Sequence, residues 1–280
     1  MKQLILNIFI GVGSTLAINR DIPRFSTWSC IADLSLKKEK TMFKKAALAV
    51  LVTIPATQAL AADVSGNVAL TSDYKFRGIS QSDSAPSIQG GFDVAFDNGA
   101  YIGTWGAAVD FDCSADEVNS CGGLNGGIEL DYYVGYAADI SDSVSYDIGY
   151  IYYDYPQDEG LLGDYGEVYG SLSFGDFGIG MNYSDEYWGE TGKFTYTYAT
   201  YSVALSDAYA LDFLVGSGDY DEAGYLDGAT SHMNWSIALS TSAAGLDLAL
   251  TYEDTNLDEA DAYGYDWADA ALILTIGKSL

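Results

Sequence analysis

The chain has 280 residues, with 40 Asp or Glu against 12 Lys or Arg, for a formal net charge of −28. A surface of that sign excludes nucleic acid as a partner. The charge is unevenly divided: residues 1–61 hold eight basic and three acidic residues (8 − 3 = +5), and residues 62–280 hold four and 37 (4 − 37 = −33).

The stretch "MFKKAALAVLVTIPATQALAAD" from Met42 reads as a secretory signal peptide. Lys44 and Lys45 form its basic end, Ala46 to Ile54 its apolar run and Ala59-Leu60-Ala61 its cleavage site. The apolar run is too short to span a bilayer. Residues 1–41, with a weak apolar run "LILNIFIGVG", read as a dispensable extension ahead of a start at Met42; a second anchoring segment is the alternative. The expected organisation is therefore an extension at 1–41, a signal peptide at 42–61 and an exported domain at 62–280. Cys30 falls in the removed part. Cys113 and Cys121, eight apart in a Gly- and Ser-rich segment, are expected to form a loop-closing disulfide in an oxidising compartment, with two free thiols as the alternative. Two thiolates without a nearby His do not make a metal site, and no cofactor is expected.

From residue 62 the chain alternates strictly. Val64, Gly66, Val68, Leu70, Ser72, Tyr74 and Phe76 oppose Ser65, Asn67, Ala69, Thr71, Asp73, Lys75 and Arg77. A period of two means a strand. The same beat recurs at Ile88 to Phe96, Ile128 to Tyr136, Val144 to Tyr152 and Leu246 to Glu253. It predicts about twelve strands, at 64–77, 86–97, 100–111, 127–138, 144–155, 165–175, 177–184, 194–205, 209–217, 231–241, 246–254 and 267–280. Strand 194–205 slips phase between Tyr198 and Tyr201, which predicts a bulge. The connections alternate between short (Asn98-Gly99, 139–143, Gly175-Asp176, 206–208, 242–245) and long (78–85, 112–126, 156–164, 185–193, 218–230, 255–266). Asn-Gly between alternating runs is a strong hairpin signal.

A soluble β-sandwich also alternates. Against it stand the even number of long strands and the short/long alternation of loops. Aromatics also cluster at the ends of apolar faces (Tyr74 and Phe76, Phe96 and Tyr101, Tyr150 and Tyr152), as membrane-interface girdles do. The outward positions nearly lack charge. The expectation is an all-β transmembrane antiparallel barrel in the outer membrane, with short periplasmic turns and longer external loops. The last segment, "ADAALILTIGKSL", puts Leu272, Leu274, Ile276 and Leu280 on one face, similar to the terminal assembly strand of such barrels. It departs from the usual form in ending on Leu280 and in carrying Lys278 on that face.

The segments "SDYKFRGIS", "PSIQGG" and "NGAYIGTWG" within residues 63–111, followed more loosely by "ELDYYVGY" and the tyrosine-rich hairpins, resemble the TorF family of bacterial porins. The resemblance implies an outer-membrane pore and brings no substrate and no catalytic residues. The expected partners of such a barrel are outer-membrane lipid and lipopolysaccharide, small solutes and the barrel-assembly machinery; the oligomeric state is open.

Lys75 and Arg77 are two of the four basic residues after position 61. If Tyr74 and Phe76 face lipid, then Asp73, Lys75 and Arg77 face the lumen near the external end of strand one. The other inward charges are acidic: Asp93, Asp110, Glu129, Asp131, Asp147, Glu167, Asp212, Asp247, Glu253 and Asp269. The two cations would pair with carboxylates across a narrow lumen, lining a constriction with Asp73, Asp93, Asp110, Glu129, Asp131 and Asp147, because unpaired buried charge is costly. The alternative anchors them at lipid headgroups. An acidic wall favours cations or neutral solutes over anions, so the expected function is a narrow porin-like channel. The rivals are a barrel without an open pore, acting through acidic loops such as "EDTNLDEADAYGYD", and a barrel hydrolase. For the hydrolase, His232, Asn234 and Ser236 share one face of a strand, but at about 7 Å per step they are too far apart for a nucleophile–base contact. No enzyme motif is present, and the chain is read as a non-enzyme.

Overall fold

The structure, a computed structural model, describes residues 62–111, 127–156 and 163–280. The expected signal peptide, the extension before it and the expected Cys113–Cys121 bridge lie outside the described residues. Among the described residues the strands are β1 (Ala62–Thr71), β2 (Lys75–Phe76), β3 (Ile79–Ser80), β4 (Ser87–Phe96), β5 (Ala100–Val109), β6 (Gly127–Ser141), β7 (Val144–Asp154), β8 (Tyr165–Phe174), β9 (Phe177–Ser184), β10 (Phe194–Ala204), β11 (Tyr209–Tyr220), β12 (Ser231–Ala243), β13 (Leu246–Thr255) and β14 (Ala271–Ser279).

β1 and β4 to β14 close into a twelve-stranded antiparallel barrel, each strand paired with its chain neighbour and β14 returning to β1. Closure leaves no free sheet edge along the paired strands. The β1–β14 seam is short, running only from Asn67↔Ser279 to Thr71↔Thr275, whereas β1 pairs with β4 along its whole length. Short turns gather at one end, together with the start of β1 and the end of β14. At Asn98-Gly99, between β4 and β5, Gly99 takes a φ of +92° and its amide donates to the Phe96 carbonyl at 2.9 Å. A side chain there would be strained, which explains the glycine. Among the described residues, the long connections leave from the opposite end.

Every wall strand obeys the period of two. Val68, Leu70, Ile88, Phe92, Val134, Ile148, Val168, Ile179, Met181, Ile237, Leu250, Leu272, Leu274 and Ile276 stand outward and exposed. That continuous apolar band is far larger than a soluble monomer exposes. The alternate positions, including Asp93, Glu129, Asp131, Asp147, Glu167, Asp212, His232, Asn234 and Glu253, point inward and are buried.

Inside, tyrosine rings lie across glycines of the neighbouring strand. Tyr133 pairs with Gly103, Tyr101 with Gly135, Tyr169 with Gly149 and Tyr198 with Gly180, and at each of these glycines a Cβ would overlap the ring. Glycine in a strand weakens it unless another group covers the gap; here the cross-strand ring does so.

Several expectations need correction. β1 ends at Thr71, not at 77, and the chain then turns into the barrel. Tyr74 and Phe76 are therefore not part of a lipid-facing girdle; they are 1% and 5% exposed, inside. Tyr101 faces inward too. β10 has no bulge: Phe194, Tyr196, Tyr198 and Thr200 all point in, and its register with β9 and β11 is unbroken. The apparent slip came from counting Tyr198 and Tyr201 on one apolar face, whereas Tyr198 points in and Tyr201 out. The register irregularity falls instead between Asp139 and Ser141 in β6. Asp269 precedes β14, because Asp266–Ala268 form a short 3-10 turn rather than strand.

Candidate functional site: a loop folded into the lumen

Residues 72–86 leave the wall after β1 and re-enter it at β4. Between them β2 and β3 pair as a two-stranded hairpin, Lys75↔Ser80 and Phe76↔Ile79. Its turn is Arg77-Gly78, with φ of +53° and +90°. Positive φ at both central residues matches the right-handed twist of a tight hairpin. For Arg77 that conformation costs about 1–2 kcal/mol, so its surroundings must hold it.

Those surroundings are specific. Arg77 donates Nη1 to Glu167 Oε1 at 2.6 Å and Nη2 to Glu167 Oε2 at 2.7 Å, across the lumen to β8. Planar two-bond pairs of this kind are the strongest side-chain hydrogen bonds. Both partners are buried, at 4% and 0% exposure. The Asn182 amide and the Tyr153 hydroxyl also donate to Glu167 Oε2, at 3.0 and 3.3 Å. The guanidinium carbon lies 4.4, 5.0 and 4.6 Å from the ring centres of Phe76, Phe194 and Tyr196. Such contacts contribute about 2 kcal/mol or more when desolvated. His232 Nε2 donates to the Arg77 carbonyl at 2.9 Å, and its Nδ1 accepts from Tyr220 at 3.1 Å. A Cβ at Gly78 would overlap Thr255 and lie 2.8 Å from the Asn234 Cβ, so the turn tip is fitted against β12 and β13.

The rest of the loop is tied down as closely. The Tyr74 hydroxyl donates to Glu129 Oε1 at 2.9 Å, and Tyr155 donates to the other oxygen at 2.8 Å. Ser80 and Ser82 hydroxyls donate to Asp73 Oδ1 at 2.7 and 3.3 Å. The Gln81 amide donates to the Tyr74 carbonyl, and the Asp110 amide donates to the Gln81 carbonyl. Lys75 Nζ donates to the carbonyls of Asp269 (2.5 Å), Trp267 (3.1 Å) and Gly78 (3.4 Å). Burial pushes the Asp73 carboxyl above its ordinary value, against its serine hydrogen bonds and Lys75, and pushes the Lys75 amine below its own.

Around this loop the long-loop half of the lumen is filled by rings. Tyr153 stacks on Tyr165 at 4.5 Å, Tyr187 on Phe194 at 4.1 Å and Tyr220 on Tyr225 at 5.5 Å. Toward the turn end, Tyr133 donates to Asp93 at 2.5 Å, Tyr101 to Asp147 at 2.7 Å, and Ser202 and Ser240 to Asp212 at 2.5 and 3.0 Å. Asp131 is fully buried beside Glu129 on β6, and neither of its oxygens has a hydrogen-bond partner among the described residues.

The residues singled out in the sequence therefore divide into four groups. Asp73, Lys75 and Arg77 are inside the lumen, but on the inserted loop rather than on strand one. Because they are buried, they do not sit at lipid headgroups. Asp93, Glu129, Asp131 and Asp147 face inward from β4, β6 and β7. Asp110 does not join them; it follows the end of β5 and is exposed, since strand β5 stops at Val109. Asp269 is exposed as well and offers Lys75 its backbone carbonyl. His232, Asn234 and Ser236 face inward without forming a nucleophile–base pair, because Asn234 bonds Tyr196 and Glu253 while His232 bonds Tyr220 and Arg77. The sequence reading missed the ring layer of Tyr153, Tyr155, Tyr165, Tyr187 and Trp188. Its one available signal was the density of aromatics at the loop-side ends of β7 and β8 and in the loop after β9.

No curated protein matches the chain in sequence. Solved structures similar to it include the NanC porin, at 13% identity and TM-score 0.47 over 77% of this chain and 98% of that one. The KdgM porin is similar at 7% and 0.45 over 78% and 98%, and Salmonella typhi OmpF at 10% and 0.41 over 79% and 98%. The sequence model of one family matches residues 55–280. The chain belongs to that family, Gcw_chp, described as bacterial proteins of unknown function.

Proposed function

We propose that the chain is an outer-membrane porin-like barrel that passes small cationic or neutral solutes, and that its lumen rests closed by the inserted loop 72–86. An exterior of exposed Val, Leu, Ile, Met and Phe on twelve paired strands suits hydrocarbon, since closure satisfies the wall hydrogen bonds internally along the paired residues. Twelve strands fall between the filled eight-stranded barrel and the aqueous sixteen-stranded pore. The lumen-facing charge is dominated by carboxylates, which favours cations.

The observation that carries the resting closure is the buried Arg77–Glu167 pair, which ties the loop to the far wall. The burial of lumen carboxylates and rings around it favours a second reading, a permanently plugged barrel that works at its loop end. Planar-bilayer recording under a KCl gradient separates the two. A gated channel gives brief cation-selective openings, and a variant with residues 73–85 replaced by a short Gly-Ser linker gives sustained ones. Silence from both proteins supports the plugged barrel, and anion selectivity overturns the charge argument.

A further inference from the structure

Two carboxyls on one strand stand against the inserted loop. Glu129 and Asp131 are two residues apart on β6, so both point into the lumen, where they are 2% and 0% exposed. Glu129 is supplied with donors: Tyr74 of the inserted loop bonds Oε1 at 2.9 Å and Tyr155 bonds Oε2 at 2.8 Å. Asp131 has no donor for either oxygen among the described residues. The Glu129 side chain lies within hydrogen-bonding reach of it. Ionised carboxylates only accept, so that contact becomes a hydrogen bond only when one of the two carries a proton.

The surroundings do not relieve a second charge. Trp105 on β5 and Tyr153 on β7 stand opposite Asp131 in the sheet, and the Tyr153 hydroxyl donates to Glu167. Asp154 on β7 and Glu167 on β8 add negative charge around it. Arg77 gives both its terminal nitrogens to Glu167, and Tyr74 and Tyr155 are committed to Glu129. Two adjacent charged carboxylates, one of them buried without any donor, are costly.

We propose that Glu129 and Asp131 share one proton, carried by Asp131 and donated to Glu129, and that this proton is a condition of loop insertion. The inference rests on the resting closure proposed above and adds what controls it. With the proton in place Asp131 is neutral, and Glu129 keeps a charge-assisted bond from Tyr74. With the proton lost, both carboxyls are charged in a dry site, and water reaches them only if Tyr74 and its loop withdraw. In the released state both stand in water and ionise separately. Insertion therefore takes up one proton, and a rise in pH favours release by up to about tenfold per pH unit.

Trypsin digestion of the purified protein in detergent tests it, because Lys75 and Arg77 lie on the inserted hairpin and the exposed Lys193 serves as internal reference. Mass spectrometry reads cleavage after Lys75 or Arg77 relative to cleavage after Lys193, from neutral to mildly alkaline pH. In the parent the ratio should be low at neutral pH and rise as pH rises. D131N, whose amide N–H takes the place of the proton, should keep the loop protected throughout. E129Q removes the other half of the pair, so it should also flatten the profile, and it gives a reading if D131N fails to fold. A rise that persists unchanged in these variants belongs to another titratable group bonded to the loop, such as Lys75 or His232, and overturns the shared proton. A protected, flat profile in the parent overturns it too and leaves the closed lumen standing. Cleavage of the loop as fast as at Lys193 at every pH overturns the closure together with the inference.

Discussion

Replacing Glu167 with Gln isolates the contact on which loop insertion depends most. Glu167 accepts from both Arg77 nitrogens and from Asn182 and Tyr153. An amide keeps the shape but removes the charge, and presents an N–H to a guanidinium that has only donors. Breaking a buried pair from one side costs about 3–5 kcal/mol, because the remaining charge is uncompensated. The Arg77 φ of +53° adds strain that the pair no longer offsets. At 1.4 kcal/mol per decade, the balance between inserted and released loop should shift by about a hundredfold or more. In planar-bilayer recordings, E167Q should therefore raise the open fraction by that order over the parent. The double variant R77M/E167M, which replaces both charges with apolar groups of similar length, should stay close to the parent, since a paired charge swapped for packed apolar groups is near neutral. An open fraction for E167Q equal to the parent's would refute the assignment of this pair as the tie that holds the loop.

The interior tyrosine–glycine pairs predict that G135A lowers the thermal midpoint of the folded barrel by an amount equivalent to about 1–3 kcal/mol, because the new Cβ meets the Tyr101 ring; a gel that separates folded from boiled protein reads the midpoint. On the exterior, L250R should cost about 2–4 kcal/mol if that face contacts the middle of a bilayer, read by denaturant titration in lipid vesicles. An L250R variant as stable as the parent would argue that the face is not in hydrocarbon.

How much of this was legible beforehand follows from what a two-residue period encodes. It fixes which side chains share a face, so the inward set Asp93, Glu129, Asp131, Asp147 and Glu167 could be read directly, and the alternation of turn lengths gave the antiparallel order. The period does not say whether an extended segment lies in the wall or inside it. "SDYKFRGIS" keeps the beat through Arg77, which is why strand one was drawn six residues too long. The departure is set by long-range partners, Glu167 on β8, Glu129 on β6 and the carbonyls of Trp267 and Asp269, none of which is local in sequence. The tyrosines misled for a related reason. An aromatic at a strand end suits a lipid interface, and it suits equally well a glycine gap on the next strand, as Tyr101 over Gly135 and Tyr198 over Gly180 show.

Amide hydrogen exchange on the purified protein in detergent, read by mass spectrometry, tests loop insertion most directly. In the structure the Tyr74 amide donates to the Ser82 hydroxyl at 2.9 Å and the Gln81 amide to the Tyr74 carbonyl at 2.7 Å, both in buried surroundings. Peptides spanning 73–82 should therefore exchange as slowly as those of β4 and β5, and far more slowly than the exposed loop at 221–228. Exchange of 73–82 as fast as that loop would place the segment outside the lumen and contradict the account.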